Sequence, residues 1–349
     1  MEQVTEGGVT IRAERPAAVS KDMEVFYNPV MALNRTVSVI LLKALGRAGL
    51  RVCDHLAGSG VRALRFLKEL PPGVVSEVVV NDLNGRFPER FRENARLSGI
   101  GLGEAVTVEN REASSLLLGS RGFDYVDVDP FGSPNPFLDA AVRKVHRGGV
   151  LAVTATDTAP LCGTYPKACR RKYWSAPRRD VLMHEAGLRI LIRKCQLVAA
   201  QYDKALTPVV AYAKDHYFRV FFTAAQGKRR VDGLFERHGM LGEAGPLWLG
   251  PLGDARMLER MSVVAEDSYP DAKGFLDTLA AEASLDVPGF FDVHEAAREL
   301  KANPPRMEDV LARLHEKGFS AIRTHVSPTG VRAACSEEEF LEAVRGGSS

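Results

Sequence analysis

The chain has 349 residues, 45% apolar and 26% charged, with a formal net charge of +2. That length suits two domains with a sizeable core, and the composition is ordinary for a soluble globular protein. The small net charge names no partner, so any nucleic-acid surface must arise from local clustering. No apolar run approaches a membrane span, and the polar stretch Met1 to Arg15 lacks the apolar core of a signal peptide. The five cysteines (Cys53, Cys162, Cys169, Cys195, Cys335) are scattered without a CxxC pair, and the eight histidines show no HExxH spacing. This reads as reduced thiols in a cytoplasmic protein with no bound metal, rather than a disulfide framework or a zinc cage.

A polar lead-in covers residues 1–33 and contains Val25-Phe26-Tyr27-Asn28-Pro29, two adjacent aromatics before an Asn-Pro turn. Asn34 is placed to cap a helix from Arg35 to Leu45, whose Val37, Ile40, Leu41 and Ala44 share a face. Leu50 to Leu56 reads as a strand, Ala57-Gly58-Ser59-Gly60 as a tight turn, and Val61 to Leu70 as a helix ended by Pro71-Pro72. Strand, glycine turn and helix make the first unit of a nucleotide-binding α/β sheet, where Gly58 and Gly60 let the backbone approach a ligand. The next strand, Val78 to Asp82, ends in an acid roughly twenty residues past that turn, where a carboxylate can hold the hydroxyls of a ribose. A helix near Arg86 to Leu97 and a strand Ala105 to Val108 follow. Glu112 then either accepts a hydrogen bond from an adenine amine or simply starts a helix.

The fourth strand holds the most informative stretch, Phe123-Asp124-Tyr125-Val126-Asp127-Val128-Asp129-Pro130-Phe131-Gly132-Ser133-Pro134. Pro130 has no N–H for a ladder, so the strand must stop there. Asp129, the Pro130 carbonyl and the Phe131 ring are then left at the carboxyl edge of a sheet, where open α/β folds keep their ligands. An acceptor acid, a fixed carbonyl and a flat apolar face suit a planar ring bearing an amino group. A helix from Asn135 to His146, the strand Val150 to Thr154 and a long helix near Arg178 to Ala200 come next. Leu206–Tyr212 and Tyr217–Phe222 then read as a hairpin around Lys214-Asp215. A parallel sheet closed by a late hairpin is the pattern of class I methyltransferases; a dehydrogenase would begin a second βαβαβ half.

Thr156 to Arg179 is too long for an ordinary connection. It carries Lys167, Arg170, Arg171, Lys172, Arg178 and Arg179 among Tyr173 and Trp174. Basic residues interleaved with aromatics suit a phosphate backbone with exposed bases. From residue 241 the character changes: glycine and proline crowd Leu241 to Pro251, and the chain ends as helix, helix and hairpin (Val293–Lys301, Met307–Lys317, Phe319–His325 with Val331–Ala334). That order resembles a winged helix, with Arg323, His325 and Arg332 on the wing. The expected organisation is a catalytic domain over residues 1–240 and a smaller, winged-helix-like α+β domain over 241–349, a module that often binds nucleic acid.

Several of these stretches together resemble the tRNA (guanine-26 N2)-dimethyltransferase family. They are Val25–Pro29 with Met31–Arg35, Asp54 to Arg62, Asp127–Pro134, Thr154–Asp157 with Pro160–Gly163, Lys214–Arg219, Gly245–Leu252, and Arg323–His325 with Ser327–Gly330. The resemblance implies a Rossmann-like α/β fold and S-adenosylmethionine as donor. It also implies transfer of one or two methyl groups to a guanine amine in tRNA, which makes tRNA the nucleic acid of the 241–349 domain, with no obligate protein partner. Carried over position by position, Arg35, Asp54, Arg62, Asp82 and Glu112 line the donor site. Phe26 and Phe131 sandwich the guanine, with Asp129 and Pro130 at its amine. Many relatives carry clustered cysteines before the Gly-Pro-Leu-Trp stretch; Ala224 to Gly245 has none, so zinc is not expected here. The competing readings are a methyltransferase for another amine (a different RNA guanine, a DNA adenine or a protein amide), a nucleotide-dependent oxidoreductase, and a non-catalytic RNA-binding protein.

Overall fold

The computed structural model describes residues 2–13 and 27–346. Its centre is a seven-stranded sheet. In chain order the first elements are strands β1 (Glu2–Glu6) and β2 (Val9–Ala13), helix α1 (Ala32–Ala44), β3 (Leu50–Asp54), α2 (Val61–Glu69), β4 (Val75–Asn81), α3 (Phe87–Leu97) and β5 (Val106–Glu109). Then come α4 (Ala113–Gly119), β6 (Phe123–Val128), α5 (Asn135–Lys144), β7 (Val145–Ala155), α6 (Thr158–Leu161), α7 (Pro166–Tyr173), α8 (Met183–Ala200), β8 (Lys204–Lys214) and β9 (Tyr217–Gln226). The sheet order is β5-β4-β3-β6-β7-β9-β8; the first five strands are parallel and the β8–β9 hairpin is antiparallel. Strand order reverses between β3 and β6, so a crevice opens at their carboxyl ends.

The central strands are apolar on both faces because helices cover both. Helices α5 and α8 bury Leu138, Ala141, Leu188 and Leu191 against one face. On the other face lie α1 and two later helices, α10 (Ala255–Ser268) and α11 (Pro270–Ala283). Between hairpin and α10 sit α9 (Lys228–Phe235) and the paired strands β10 (His238–Leu241) and β11 (Ala244–Trp248). The boundary expected after residue 240 falls within this hairpin, whose Leu247 and Trp248 are buried in the α8 core. Leu258 and Met261 of α10 and Leu276 of α11 belong to one core with α1. A separate small core forms from β12 (Phe291–Asp292), α12 (Val293–Glu299), α13 (Met307–Glu316), β13 (Ala321–Arg323), β14 (Gly330–Ala333) and α14 (Glu337–Arg345). Helix pair and antiparallel wing match the expected winged-helix-like order.

Three local expectations change. Residues 2–13 form a hairpin around Gly7-Gly8, not a featureless lead-in. Asn34 lies buried within α1, which begins at Ala32; Asn28 instead caps the preceding turn through its side chain and Val30 N. The long connection Thr156–Arg179 contains α6 and α7, and α8 starts at Met183 after a turn in which Asp180 accepts from Leu182 N through Oδ1 and from Met183 N through its carbonyl, both at 3.0 Å.

Candidate active site

Asp54 ends β3 directly beside Asp127 of β6 in the ladder. Asp129 follows the last residue of β6, two positions beyond Asp127. Arg62, the second residue of α2, reaches both: Nη2 pairs with Asp129 Oδ2, and Nη1 lies 3.4 Å from Asp127 Oδ2 and donates to Ser38 Oγ at 2.7 Å. Arg219 of β9 reaches across β7 to Asp127, with Nη1–Oδ1 at 2.8 Å and Nη2–Oδ2 at 2.7 Å, and also donates to Thr154 Oγ1 at 2.9 Å. Burial opposes ionisation of Asp127, but the two guanidiniums outweigh it and hold its carboxyl down at about 2. Burial likewise works against the charge on Arg62, and Asp127 together with Asp129 more than restores it. This network fixes Asp129 while leaving its Oδ1 without a partner among the described residues, with the Asp129 side chain 18% exposed beside the exposed Phe131. Gly132 N donates to Thr156 Oγ1 at 2.7 Å, tying the turn to the end of β7.

On the other side of the crevice, Gly58 and Gly60 have φ of +56° and +76°, and Gly60 precedes the first residue of α2. Asp82 accepts from Gly58 N through Oδ2 and from Asn84 N through Oδ1, both at 2.9 Å, which locks the glycine turn to the end of β4. Asp54 is buried with Oδ2 unpartnered among the described residues, and burial pushes its carboxyl up to about 7 against the opposing charge of Arg62. Glu112 takes the helix-start role: it accepts from Ser114 N and Ser115 N, and those bonds hold its carboxyl below the usual range. Arg35 is buried and committed to Glu6 of the N-terminal hairpin, to Asn28 O at 3.0 Å and to the Tyr27 ring. Phe26 lies outside the described residues.

The residues expected to hold RNA separate into groups. Lys167, Arg170, Arg171, Lys172 and Arg179 are exposed, the first four on α7. Arg178 is satisfied by Asp180 and by Leu241 O at 3.2 Å, and Arg323 pairs with Glu308 at the surface. Arg332 is a correction: only 1% exposed, it is clamped by Glu185 of α8 and Glu282 of α11 and cannot reach a phosphate. His325 is drawn inward with it, paired with Glu282 and accepting from Ala213 N. The wing's inner side is therefore a docking face for the rest of the protein. Sequence reading left Glu6, Ser38, Asp127 and Arg219 without roles. Charges at buried positions of largely apolar strands, Asp127 in β6 and Arg219 in β9, were the available signal that the two pair.

A parallel sheet closed by a late antiparallel hairpin, with the glycine turn and Asp82 beside the acid-Pro-aromatic turn, is the architecture of a class I methyltransferase. Residues 7–243 and 236–345 match the family model of the N2,N2-dimethylguanosine tRNA methyltransferases, and the chain belongs to that family. It is 42% identical to the tRNA (guanine(26)-N(2))-dimethyltransferase of Thermococcus kodakarensis, covering 89% of this chain and 90% of the relative. It is 37% identical to the tRNA (guanine(26)-N(2)/guanine(27)-N(2))-dimethyltransferase of Aquifex aeolicus, covering 98% and 95%. The solved structure of Trm1 from Pyrococcus horikoshii with S-adenosyl-L-methionine superposes with a TM-score of 0.89 at 36% identity, over 99% of this chain and 100% of that one. Among the described residues, no helix is long and apolar enough to cross a membrane.

Proposed function

We propose that this chain is a tRNA methyltransferase that moves methyl groups from S-adenosylmethionine to the exocyclic N2 of guanine 26, once or twice, in the cytoplasm. The observation that carries the reading is the Asp129-Pro130-Phe131-Gly132 turn at the sheet's switch point, with Asp129 anchored by Arg62 and one carboxylate oxygen left for an amine. Asp54, with its orphaned buried oxygen, and the Gly58–Gly60 turn held by Asp82 fit a cationic, ribose-bearing donor, with Arg62 between them and the target. Arg35 and Glu112 support that pocket from outside, through Glu6 and the start of α4. S-adenosylmethionine supplies an electrophilic methyl group on a sulfonium.

The chain's own residues do the rest. Guanine N2 is a poor nucleophile because its lone pair is delocalised into the ring. Asp129 Oδ1 and the Pro130 carbonyl accept its N–H bonds, which lets the nitrogen pyramidalise and aims its lone pair. Positioning of this kind recovers on the order of 7–11 kcal/mol of a barrier. Asp129 also takes the proton released as N2 becomes positive, a role that typically contributes about 10²–10⁴-fold. Leaving the stack costs the guanine a few kcal/mol, which the Phe131 face offsets, with Phe26 as the second ring. Helix α7 and Arg179 track the phosphate backbone. The catalytic unit runs through α11, and the winged-helix-like module grips tRNA with its outer face, where Arg323 lies. The test is mass spectrometry of nucleosides from unmodified tRNA incubated with the protein and S-adenosylmethionine, followed by nuclease mapping. Methylated guanosine at position 26 is expected; methyl transfer only to DNA or protein refutes the reading.

A further inference from the structure

Helix α7 ends at Trp174, which adopts a left-handed φ of +57°. That backbone is an outlier for so bulky a residue, and it turns two successive aromatics in opposite directions. Tyr173 goes inward and is fully buried; its hydroxyl donates to Asp157 Oδ1 at 2.5 Å and bonds Ser133 Oγ at 2.9 Å. Trp174 goes outward and stays 49% exposed. The end of α7 is thereby fastened to the loop that carries Asp129, since Asn135 Nδ2 also donates to Lys172 O at 2.9 Å.

Two cations from α8 lie against Trp174, one on its ring and one on its carbonyl. Lys194 Nζ sits 3.0 Å from the ring centroid, although the residue is only 6% exposed. Arg193 Nη1 donates to Trp174 O at 3.2 Å, while its Nε is buried without a partner. Among the described residues neither forms a salt bridge with a carboxylate, and burial lowers the pKa of both. A cation buried against a ring face and a half-buried one held by a carbonyl are costly, and anions brought alongside would compensate them. The four exposed cations of α7 extend the same positive field. A ligand that brings both planar rings and regularly spaced anions is an unpaired stretch of nucleic acid.

We propose that the exposed part of the Trp174 indole is a stacking platform for an unpaired base of bound tRNA, its flanking phosphates held by the exposed cations of α7, with the half-buried Arg193 beside them. The platform rests on the reading of the protein as a tRNA methyltransferase and adds a second base-binding site beside the one at Phe131. Extraction of a guanine from its stack leaves neighbouring bases without a stacking partner, and Trp174 offers one.

The chain has two tryptophans, and the other, Trp248, is 2% exposed. Unmodified tRNA is therefore expected to quench emission from Trp174 in the wild-type protein, with Trp174→Phe giving the Trp248 background. In filter binding, Trp174→Ala is expected to weaken tRNA about 5- to 150-fold, the range for loss of one base–aromatic stack, whereas Trp174→Phe stays within about threefold. Wild-type affinity in Trp174→Ala, or equal quenching of wild type and Trp174→Phe, overturns the platform. A wild-type protein that neither binds nor methylates tRNA overturns instead the functional reading beneath it.

Discussion

Arg332→Ala separates a structural role from an RNA contact. The guanidinium donates to Val287 O at 2.6 Å, Gly289 O at 2.7 Å, Glu185 Oε2 at 2.8 Å and Glu282 Oε1 at 3.1 Å. Burial opposes the charge on Glu185, and Arg332, ahead of Arg189, holds its carboxyl down at about 2. Removing one partner from a buried ion cluster typically costs about 3–5 kcal/mol, because the remaining charge is left unpaired. Here compensation is partial: Arg189 Nε remains 2.8 Å from Glu185 Oε1, and His325 remains on Glu282. The expected loss is therefore near the lower end, about 3 kcal/mol, a large part of the roughly 5–15 kcal/mol that holds a typical protein folded. In urea unfolding followed by circular dichroism this is a midpoint shift of roughly 1 M or somewhat less, because the m-value of a chain this long is at or above the top of the small-protein range. Arg332→Lys keeps the charge but lacks the planar fork, so it recovers only part of the loss. Under conditions where the variant is folded, tRNA affinity should match wild type. An unchanged midpoint together with weakened tRNA binding would show that the guanidinium reaches RNA, and the docking role would be wrong.

Three further substitutions address the crevice. Asp129→Ala should lower methyl transfer by at least about 10²–10⁴-fold while tRNA binding stays nearly intact; near-normal turnover of labelled methyl groups would contradict the mechanism. Phe131→Ala should weaken capture of the guanine more than binding of the donor, and equal loss of donor affinity by calorimetry would count against a ring face for the base. Gly60→Ala introduces a Cβ only 2.3 Å from Phe91 Cδ2 at a φ of +76°. The left-handed backbone alone costs about 1–2 kcal/mol, so both the melting temperature and donor affinity should fall; retention of both would remove the glycine turn from the argument.

The sheet was legible because its signals are local. Apolar runs, a glycine turn and terminal acids recur along the chain, and all seven strands were placed, although β7 starts earlier than expected at Val145. The crevice was legible for the same reason, since a strand that runs into Asp129-Pro130 must release its last side chains at the sheet edge. What stayed hidden depends on contacts far apart in sequence. Arg332 read as a surface base because the wing carries no mark that Glu185 and Glu282 await it from two other helices. Arg35, carried to the donor site by resemblance alone, has a partner that could not be seen, because Glu6 belongs to a hairpin passed over as polar lead-in. That hairpin was detectable: Val4, Val9, Ile11 and Ala13 alternate inward on either side of Gly7-Gly8, the period of a half-buried strand pair. Charge identity alone does not tell a buried ion pair from a binding surface; the apolar setting of Asp127 and Arg219 does.

The same charge accounting gives the donor crevice a proton to release. Asp127 and Asp129 face Arg62 and Arg219, so an ionised Asp54 adds a third carboxylate to two guanidiniums. Burial pushes Asp54 up to about 7, the charge of Arg62 resists, and Asp127 and Asp129 add to the rise. Since that folded value exceeds the usual value near 4, the stabilisation from the bound proton is complete below about pH 4 and is lost as pH rises to about 7. A sulfonium donor brings a positive charge, which favours the ionised form. Donor affinity is therefore expected to increase from about pH 6 to 8, with roughly half a proton released per donor bound at pH 7. Calorimetry in two buffers of different ionisation enthalpy reads this directly, as a buffer-dependent binding enthalpy that Asp54→Asn abolishes. Identical enthalpies for the wild type in both buffers would mean that Asp54 does not change protonation when the donor binds.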